Sequence, residues 1–504
     1  MQPRALLSLL ALLALSARPS ATWSIVCVNT KTREVGVATA TCLENFNIRT
    51  AVPVIFVGEG AGAAQSFVDS TGNNRRLIYF SFRDTEETPA EILARLEPQD
   101  PGHETRQYGI VNFAGLPVTF TGSRAGAAAS GVVGQVGDVL YAIQGNILTG
   151  DEVVLAAEEA FVVTKGDMGQ KMMAAMEAAR ALGGDGRCSC TTGSATSCGV
   201  PPPNFTKSAH VGCIVVARIG DTNAGCSANR GCAGGEYYLN LNIARGDQND
   251  RDPVFILQER YKFWRDRLEG RPDGIHSRAS TVKALPADGV TERRLLVELR
   301  DLDEQPIGHG GATLELVTAD GLSSLATPGA VTDLGDGRYE VLIRAGSTPG
   351  VDRFLVRVTD ALPADPTDVV VATLWPPVEV ATIAVPLYTS DEELSAAAGG
   401  RAAFVLNRAD KPRAPYSLVA RLAGRAGEPR GVVRGGAQVL PIPVSPFFPA
   451  APGALDARGR AEATLDVPPA ALVGLVGLRL EVTGYVLDGG PLEHTNAVGL
   501  TIGP

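Results

Sequence analysis

Thr22 is the residue in this sequence whose type and position most directly suggest chemistry. A chain cut just before Thr22 would begin with its α-amino group, and the usual pKa of such a group, about 7.7–8.0, leaves part of it neutral at pH 7. A neutral amine beside the threonine hydroxyl can accept its proton, which is the N-terminal threonine form of a nucleophile–base pair. The alternative interpretation is that Thr22 is a β-favouring residue that happens to follow a cleavage site.

The segment before Thr22 decides whether that amine exists. Residues 5–17 (ALLSLLALLALSA) form an apolar run followed by small residues. This pattern is typical of a secretory signal peptide, and the run is shorter than the about 20 apolar residues of a membrane-spanning helix. Cleavage after Ala21 leaves Thr22 first but puts Pro19 where a small residue is expected, and cleavage after Ser16 competes with it. We expect a secreted or periplasmic protein without a membrane span.

Export makes disulfides the expected state of the cysteines. All eight are disulfide candidates, and the sequence does not choose their pairing: Cys27, Cys42, Cys188, Cys190, Cys198, Cys213, Cys226 and Cys232. A zinc site built from Cys188, Cys190 and His210 is the alternative, but two closely spaced cysteine pairs are absent. We therefore expect disulfides, with no metal and no cofactor.

Charge and composition exclude several classes of protein. The chain of 504 residues has 45 Lys and Arg against 55 Asp and Glu, a net charge of −10. No basic block is present, so a nucleic-acid partner is not expected. A hydrophobic content of 45% indicates a folded protein, and the length suggests about three domains.

The elements that must position Thr22 follow from hydrophobic periodicity. Residues 22–29 and 34–41 predict a β-hairpin, in which Ser24, Val26 and Val28 share the face of Thr22. Further strands are predicted at 52–57, 108–112, 118–121, 139–144, 211–218 and 237–243, and helices at 88–96, 151–161, 166–181 and 253–268. Strands and helices in this order indicate a mixed α+β domain that ends near residue 270.

Helix signals almost vanish beyond residue 270. Strands predicted at 294–299, 312–317, 338–343 and 353–358 have the spacing of an immunoglobulin-like sandwich. A Pro-containing seam at 374–378 introduces a second β module, with strands at 402–406, 417–422, 461–467, 478–482 and 497–502. We therefore expect four parts: a signal peptide at 1–21, an α/β domain at 22–270, and two β-sandwiches at 271–375 and 376–504.

Several segments of the first half follow one another in a recognisable order. They are TWSIVCVNTKTREVGVATAT at 22–41, GEGAGAAQ at 58–65, RQYGIVN at 106–112, FTG at 120–122, YAIQGNIL at 141–148 and GGDGR at 183–187. With these segments, residues 22–268 resemble the bacterial family catalogued as domain of unknown function 1028, which is placed among the N-terminal-nucleophile hydrolases. The resemblance implies a four-layer αββα sandwich and an amidohydrolase-type active site.

The resemblance also implies roles for individual residues. Thr22 aligns with the strand-opening position and becomes the candidate nucleophile. Gln144, Gly145 and Asn146 follow a predicted strand, where an amide side chain and a glycine N–H could stabilise an oxyanion, with Asn146 as a catalytic residue. The alternative for these three is a tight turn.

Three charged residues are candidate substrate ligands on the same resemblance. Asp185 and Arg187 lie just beyond a predicted helix and either bind a polar substrate or pair with each other. Arg106, at the start of a predicted strand, either binds substrate or caps its strand.

Together these features predict a secreted amide-bond hydrolase of the N-terminal-nucleophile type. Its substrate would be a small amide or peptide-like molecule, and its β modules would contact a surface or glycan. The alternative is a non-catalytic secreted binding or surface-structural protein that uses the same fold. N-terminal sequencing separates the two, because a mature chain that starts at Ala17 leaves the Thr22 amine acylated.

Overall fold

The computed structural model describes residues 21–191, 197–280, 282, 284–319, 326–362 and 365–383, and beyond these the backbone of eight strands. The predicted signal peptide at 1–21 lies almost entirely outside the described residues. Ala21 is the first residue with a described position.

The described residues of the first half contain ten strands and six α-helices. The strands are β1 (Thr22–Asn29), β2 (Val35–Thr41), β3 (Pro53–Phe56), β4 (Gly60–Ser66), β5 (Arg106–Asn112), β6 (Val118–Thr121), β7 (Ser130–Val136), β8 (Val139–Asn146), β9 (Val211–Ala217) and β10 (Leu239–Ile243). The helices are α1 (Asn73–Asp84), α2 (Pro89–Gln99), α3 (Glu152–Val163), α4 (Met168–Ala181), α5 (Gly186–Ser189) and α6 (Pro253–Arg267).

These strands form two antiparallel sheets. The first has the order β10-β9-β2-β1-β8-β7, so β1 lies in its interior, and the second has the order β3-β4-β5-β6. One hydrophobic core, with Val26, Val37 and Val215 from the first sheet and Ala61 and Val111 from the second, fills the space between them.

Helices cover the outer faces of both sheets. Trp23, Ile25 and Ile214 pack on the first sheet against residues of α3, α4 and α6, while α1 and α2 pack on the second sheet. The alternation predicted for β1 is confirmed, because Trp23 and Ile25 face the helices whereas Val26 and Val28 face the other sheet.

Local sequence signals explain where two of the predicted helices begin. Thr88 and Glu91 form a reciprocal capping box at the start of α2, and Asp167 and Gln170 do the same for α4. The methionine stripe on α4 is buried as predicted. Helix α1 has no counterpart among the predicted elements; its central segment, LIYFSF, includes four residues that favour strands.

The second half of the described chain is built of strands. They are β11 (Arg278–Ala279), β12 (Leu285–Pro286), β13 (Glu292–Glu298), β14 (Thr313–Thr318), β15 (Thr327–Asp333), β16 (Arg338–Arg344), β17 (Gly350–Leu362), β18 (Asp365–Thr373) and β19 (Val378–Ile383). They form the sheets β11-β13-β16-β15 and β12-β19-β17-β14, with β18 paired to β17, around a core that includes Tyr339 and Phe354.

Eight further strands are described beyond residue 383. They are β20 (Leu387–Thr389), β21 (Glu393–Ser395), β22 (Gly400–Asn407), β23 (Pro415–Arg425), β24 (Gly453–Ala454), β25 (Arg460–Val467), β26 (Leu478–Val486) and β27 (Glu493–Gly503). They form the sheets β20-β22-β25 and β21-β27-β26-β23-β24.

Polar contacts join the first half to the β-rich half at the turn end of the β1–β2 hairpin. Arg218, just after β9, pairs with Glu34 at 2.8 Å and with Asp273 at 2.5 Å. The Trp375 indole donates a hydrogen bond to the Lys31 carbonyl at 2.9 Å. Thr22 lies at the opposite end of β1.

The predicted class is confirmed at the level of a mixed α/β first half followed by a β-rich second half. In the part of the chain with described positions, no helix has the length and apolar character needed to cross a membrane.

Candidate functional site

Thr22 begins an interior strand and is almost completely buried. Its backbone lies between Thr41 on β2 and Asn146 on β8. Thr22 is 1% exposed, and Ala21 before it is 0% exposed. With Ala21 attached, the residue is therefore closed to solvent.

Two side chains bind the carbonyl that immediately precedes Thr22. Thr41 Oγ1 donates to the Ala21 oxygen at 2.5 Å, and Arg187 Nη2 donates to the same oxygen at 3.0 Å. Because one donor is a guanidinium, this carbonyl oxygen lies in a place suited to a developing negative charge.

Asp185 holds Arg187 in this position. Its buried carboxylate lies 2.8 Å from Arg187 Nη2 and accepts hydrogen bonds from the Arg187 and Cys42 backbone N–H groups at 3.0 and 2.6 Å. The predicted alternative of mutual pairing is therefore the one observed. The pair also reaches the Ala21–Thr22 bond, which the sequence did not indicate. Whether either residue binds a substrate stays a prediction.

A buried network of polar side chains fixes the backbone of Thr22 from the second sheet. Gln65 Nε2 donates to the Thr22 carbonyl at 2.9 Å and to Gln107 Oε1 at 2.7 Å, and Ser24 Oγ donates to Gln65 Oε1 at 2.5 Å. Gln107 in turn donates to the Gly145 carbonyl at 2.9 Å. Thr41, Gln65 and Gln107 were not among the predicted site residues, although the alternation along each strand could have placed them on the Thr22 face.

Gln144, Gly145 and Asn146 are the last three residues of β8. The prediction that they follow the strand is therefore wrong, and so is the alternative of a tight turn. Asn146 Nδ2 donates to Ser66 Oγ at 3.2 Å and to the Ala125 carbonyl at 3.1 Å. The two protons of this amide are thus engaged, and Asn146 would have to exchange one of them to stabilise an oxyanion.

Gln144 differs from its neighbours because neither atom of its fully buried amide has a hydrogen-bond partner. The amide lies against Gly109 of the second sheet, where an added Cβ would be 2.3 Å from Gln144 Oε1. An unpartnered buried amide costs about 1–3 kcal/mol. Such an amide is available to a polar group that enters the space between the sheets.

Arg106 is bound elsewhere and is not brought to Thr22. Its Nε lies 2.7 Å from Asp100 Oδ2, and its Nη1 donates to the Phe67 carbonyl. Burial alone would raise the pKa of Asp100, but hydrogen bonds from Arg106 and Asn74 outweigh it and lower that pKa to about 2. The geometry therefore gives Arg106 a structural role, closer to the predicted alternative of a strand cap.

Six of the eight cysteines form disulfides: Cys42–Cys188, Cys190–Cys198 and Cys226–Cys232. The expectation of disulfides is wrong for Cys27 and Cys213, which are buried free thiols. Cys27 faces the helices and Cys213 faces the second sheet, so the first sheet separates them. Burial raises the pKa of both thiols, that of Cys213 to about 12.

A cavity of about 650 Å³ lies far from this site. Its walls include Arg218, Asp221, Tyr238, Trp264 and Thr373, at the contact between the first half and the β-rich half. None of the side chains around Thr22 lines it. The size of this cavity therefore has no bearing on the chemistry of Thr22.

Two different family models match segments in the two halves of the chain. Residues 22–197 match the model of the family described as "Family of unknown function (DUF1028)", and residues 276–373 match "Invasin, domain 3". No curated protein matches the chain.

Solved structures with low sequence identity to this chain include proteins of three bacteria. A Silicibacter pomeroyi protein of the same DUF1028 family is 20% identical, over 48% of this chain and 86% of that one, with a TM-score of 0.35. The Yersinia pseudotuberculosis adhesin InvE is 18% identical, over 45% and 59%, with a TM-score of 0.18. The Escherichia coli adhesin FdeC is 10% identical, over 96% and 97%, also with a TM-score of 0.18. Residues 22–197 therefore resemble the family of unknown function 1028, and residues 276–373 form an immunoglobulin-like domain similar to domain 3 of invasin.

Proposed function

We propose that residues 22–270 are a four-layer αββα hydrolase domain of the N-terminal-nucleophile type, which cleaves an amide bond with Thr22. The domain acts once the bond between Ala21 and Thr22 has been cut. The observation that carries this proposal is the pair of donors, Thr41 and Arg187, on the carbonyl that precedes Thr22.

This carbonyl indicates where a substrate would bind. A substrate carbonyl attacked by Thr22 Oγ must lie about 3 Å from that oxygen. The Ala21 carbonyl is attached to the nitrogen of the same residue and so occupies nearly that place. After the cut, the hydroxyl of Thr41 and the guanidinium of Arg187 are left as donors for an incoming carbonyl oxygen.

The cut also supplies the base and opens the site. The new Thr22 amine accepts the hydroxyl proton as Thr22 Oγ bonds to the carbonyl carbon, and the amine returns that proton to the leaving nitrogen as the amide C–N bond breaks. Water then attacks the acyl ester and transfers a proton to the amine, and the amine returns it to Thr22 Oγ as the ester C–O bond breaks, which releases the acid and restores the hydroxyl. Removal of the fully buried Ala21 uncovers Thr22 at the end of β1.

We assign Gln144 to the binding of a polar substrate, because both polar atoms of its buried amide lack a hydrogen-bond partner. The network through Gln65 and Gln107 positions Thr22 by holding its carbonyl. We assign Asn146 to the same positioning network, since its amide protons bind Ser66 and Ala125.

The proposed enzyme is exported and held outside the cytoplasm. Residues 1–21 act as a signal peptide, and the three disulfides are typical of an oxidising compartment. The β modules, residues 271–375 and 376–504, hold the enzyme at a surface or glycan. A second candidate function, a non-catalytic surface-structural protein, is favoured by the match of residues 276–373 to domain 3 of invasin.

The decisive experiment combines N-terminal sequencing of the exported protein with hydrolysis of a panel of acyl-amino acids and short peptides. We expect a mature chain that starts at Thr22 and hydrolyses at least one amide. Thr22→Ala should reduce that activity by at least about 10³-fold, as loss of a nucleophile does. A mature chain that retains Ala21, or a fully active Thr22→Ala variant, would refute the mechanism.

A substitution of Gln144 distinguishes an effect on substrate binding from an effect on the stability of the fold. Gln144→Met removes an unpartnered buried amide and should leave the free energy of unfolding unchanged or increase it by about 1 kcal/mol. If Gln144 binds the substrate, KM should rise while kcat changes little. An unchanged KM removes Gln144 from the substrate site, and inactivity of every variant and of the wild type favours the surface-structural protein.

A further inference from the structure

One group of three metal-ligating side chains, within the described part of the chain, is close enough to hold an ion. The ligand atoms of Cys42, Cys188 and His210 all lie within 4.8 Å of one another. The two sulfurs are joined as a disulfide, and His210 is 3% exposed. The group thus consists of a disulfide with a buried imidazole beside it.

The backbone holds these three residues together independently of the disulfide. Cys42 follows β2, and its N–H donates to Asp185 at 2.6 Å. Asp185 caps α5, which contains Cys188, and the His210 N–H donates to the Thr41 carbonyl at 2.9 Å. These backbone contacts remain when the S–S bond breaks, so they keep Cys42, Cys188 and His210 close together.

We propose that the Cys42–Cys188 disulfide and His210 form a redox-convertible zinc site, which binds Zn²⁺ when the disulfide is reduced. An external dithiol supplies two electrons and two protons: its own two thiols become a disulfide, and the sulfurs of Cys42 and Cys188 become thiols. Zn²⁺ then replaces the two thiol protons, which pass to solvent, and binds two thiolates and one imidazole nitrogen.

The donor set suits this ion. Two thiolates and one imidazole are common zinc ligands, at about 2.3 Å for sulfur and about 2.0–2.1 Å for nitrogen. Water or Glu44 completes the tetrahedron, since Glu44 Oε1 lies 3.8 Å from His210 Nε2. A metal binds the neutral form of the imidazole.

Lys207 opposes metal binding and provides a way to test the geometry. Its ammonium lies 3.4 Å from His210 Nδ1. If the metal takes Nδ1, Lys207 competes for the same lone pair. If the metal takes Nε2, then Nδ1 carries the proton and Lys207 is repelled. In both cases, removing this positive charge should strengthen metal binding.

The test is a Co²⁺ titration of the full exported chain before and after anaerobic reduction with a dithiol that is then removed. The untreated protein should show no thiolate-to-cobalt absorption. The reduced protein should bind one Co²⁺ per chain with that absorption and a tetrahedral visible spectrum, and Zn²⁺ should displace it. A reduced protein without thiolate-to-cobalt absorption would overturn the proposal, which does not depend on hydrolase activity.

Matched variants locate the ion. His210→Gln leaves every cysteine in place and should weaken Co²⁺ binding by at least about tenfold, the lower end of what even outer-shell changes cause. Lys207→Gln should bind more tightly than the wild type. The control Cys226→Ser/Cys232→Ser, which removes another disulfide, should bind as the wild type does. Equal affinity in the wild type and His210→Gln would place the metal on other cysteines and refute this site.

Discussion

Replacement of Arg187 by methionine tests the contact that positions the carbonyl before Thr22. Methionine keeps most of the length and apolar stem of arginine but removes its charge. The change leaves the carboxylate of Asp185, which is 0% exposed, without its cationic partner. We therefore expect the segment around Asp185 to open more easily.

The magnitude follows from the geometry of the ion pair. Two unit charges 2.8 Å apart attract by about 6 kcal/mol at an effective dielectric constant of about 20. The Arg187 side chain is 24% exposed, so water screens part of this attraction. Breaking a buried pair costs about 3–5 kcal/mol. We expect Arg187→Met to lower the free energy of local opening by about 3 kcal/mol.

Amide hydrogen exchange of the full chain measures that local opening. Peptides that span residues 35–44 and 183–190 should exchange roughly 100-fold faster in Arg187→Met, the equivalent of about 3 kcal/mol. The double variant Asp185→Asn/Arg187→Met keeps a helix cap but buries no charge, so it should recover about 2 kcal/mol. Unchanged exchange in the single variant, or faster exchange in the double variant, would refute this account.

Three further predictions concern the thiols, one carboxyl group and one glycine. Alkylation under denaturing conditions without reductant should label Cys27 and Cys213 and no other cysteine, and zero or more than two labels would contradict the assigned disulfides. Burial raises the pKa of Asp221 from 3.8 to about 6; the folded state then holds this proton more tightly, and stability falls as pH rises between those values. Asp221→Asn should lose this pH dependence, and its free energy of unfolding at pH 7 should rise by at most about 3 kcal/mol. If the free energy of unfolding of the variant changed with pH as steeply as that of the wild type, the assignment to Asp221 would be wrong. Gly184 has φ +56°, and an added Cβ would lie 2.7 Å from the Trp23 ring. Gly184→Ala should therefore lower the free energy of unfolding by about 1–3 kcal/mol, and with it Tm. An unchanged Tm would show that the ring can move.

Sequence periodicity correctly predicted those elements whose local sequence signals agree with the way they pack in the fold. The β1–β2 hairpin, α2 and α4 were predicted because alternation, capping residues and a methionine stripe all indicate the same structure. Helix α1 was missed because its central LIYFSF segment contains four strand-favouring residues and its N-cap residue provides no capping side chain, whereas in the fold this segment packs against the second sheet. Local propensity cannot reveal such a tertiary effect.

The candidate site was less predictable than the fold because strand register assembles it. Thr22 could be identified from its own chemistry. The carbonyls of Ala21 and Thr22 are bound by Thr41, Gln65 and Arg187, and the most distant of these contacts joins Ala21 and Arg187, 166 positions apart. The error for Cys27 and Cys213 has the same origin, since the sequence does not show that β1 and β9 belong to one sheet, with the two thiols on its opposite faces.

The hydrogen bond from Trp375 to the Lys31 carbonyl has a consequence for how molecules could reach Thr22. Lys31 lies in the turn of the hairpin, and seven residue steps of β1, roughly 23 Å, separate that turn from Thr22. If the β-rich half is anchored to a cell envelope or matrix, the end of the first sheet that contains Thr22 lies away from the anchored side. Diffusing molecules would then reach Thr22 more readily than polymers that belong to the anchoring surface.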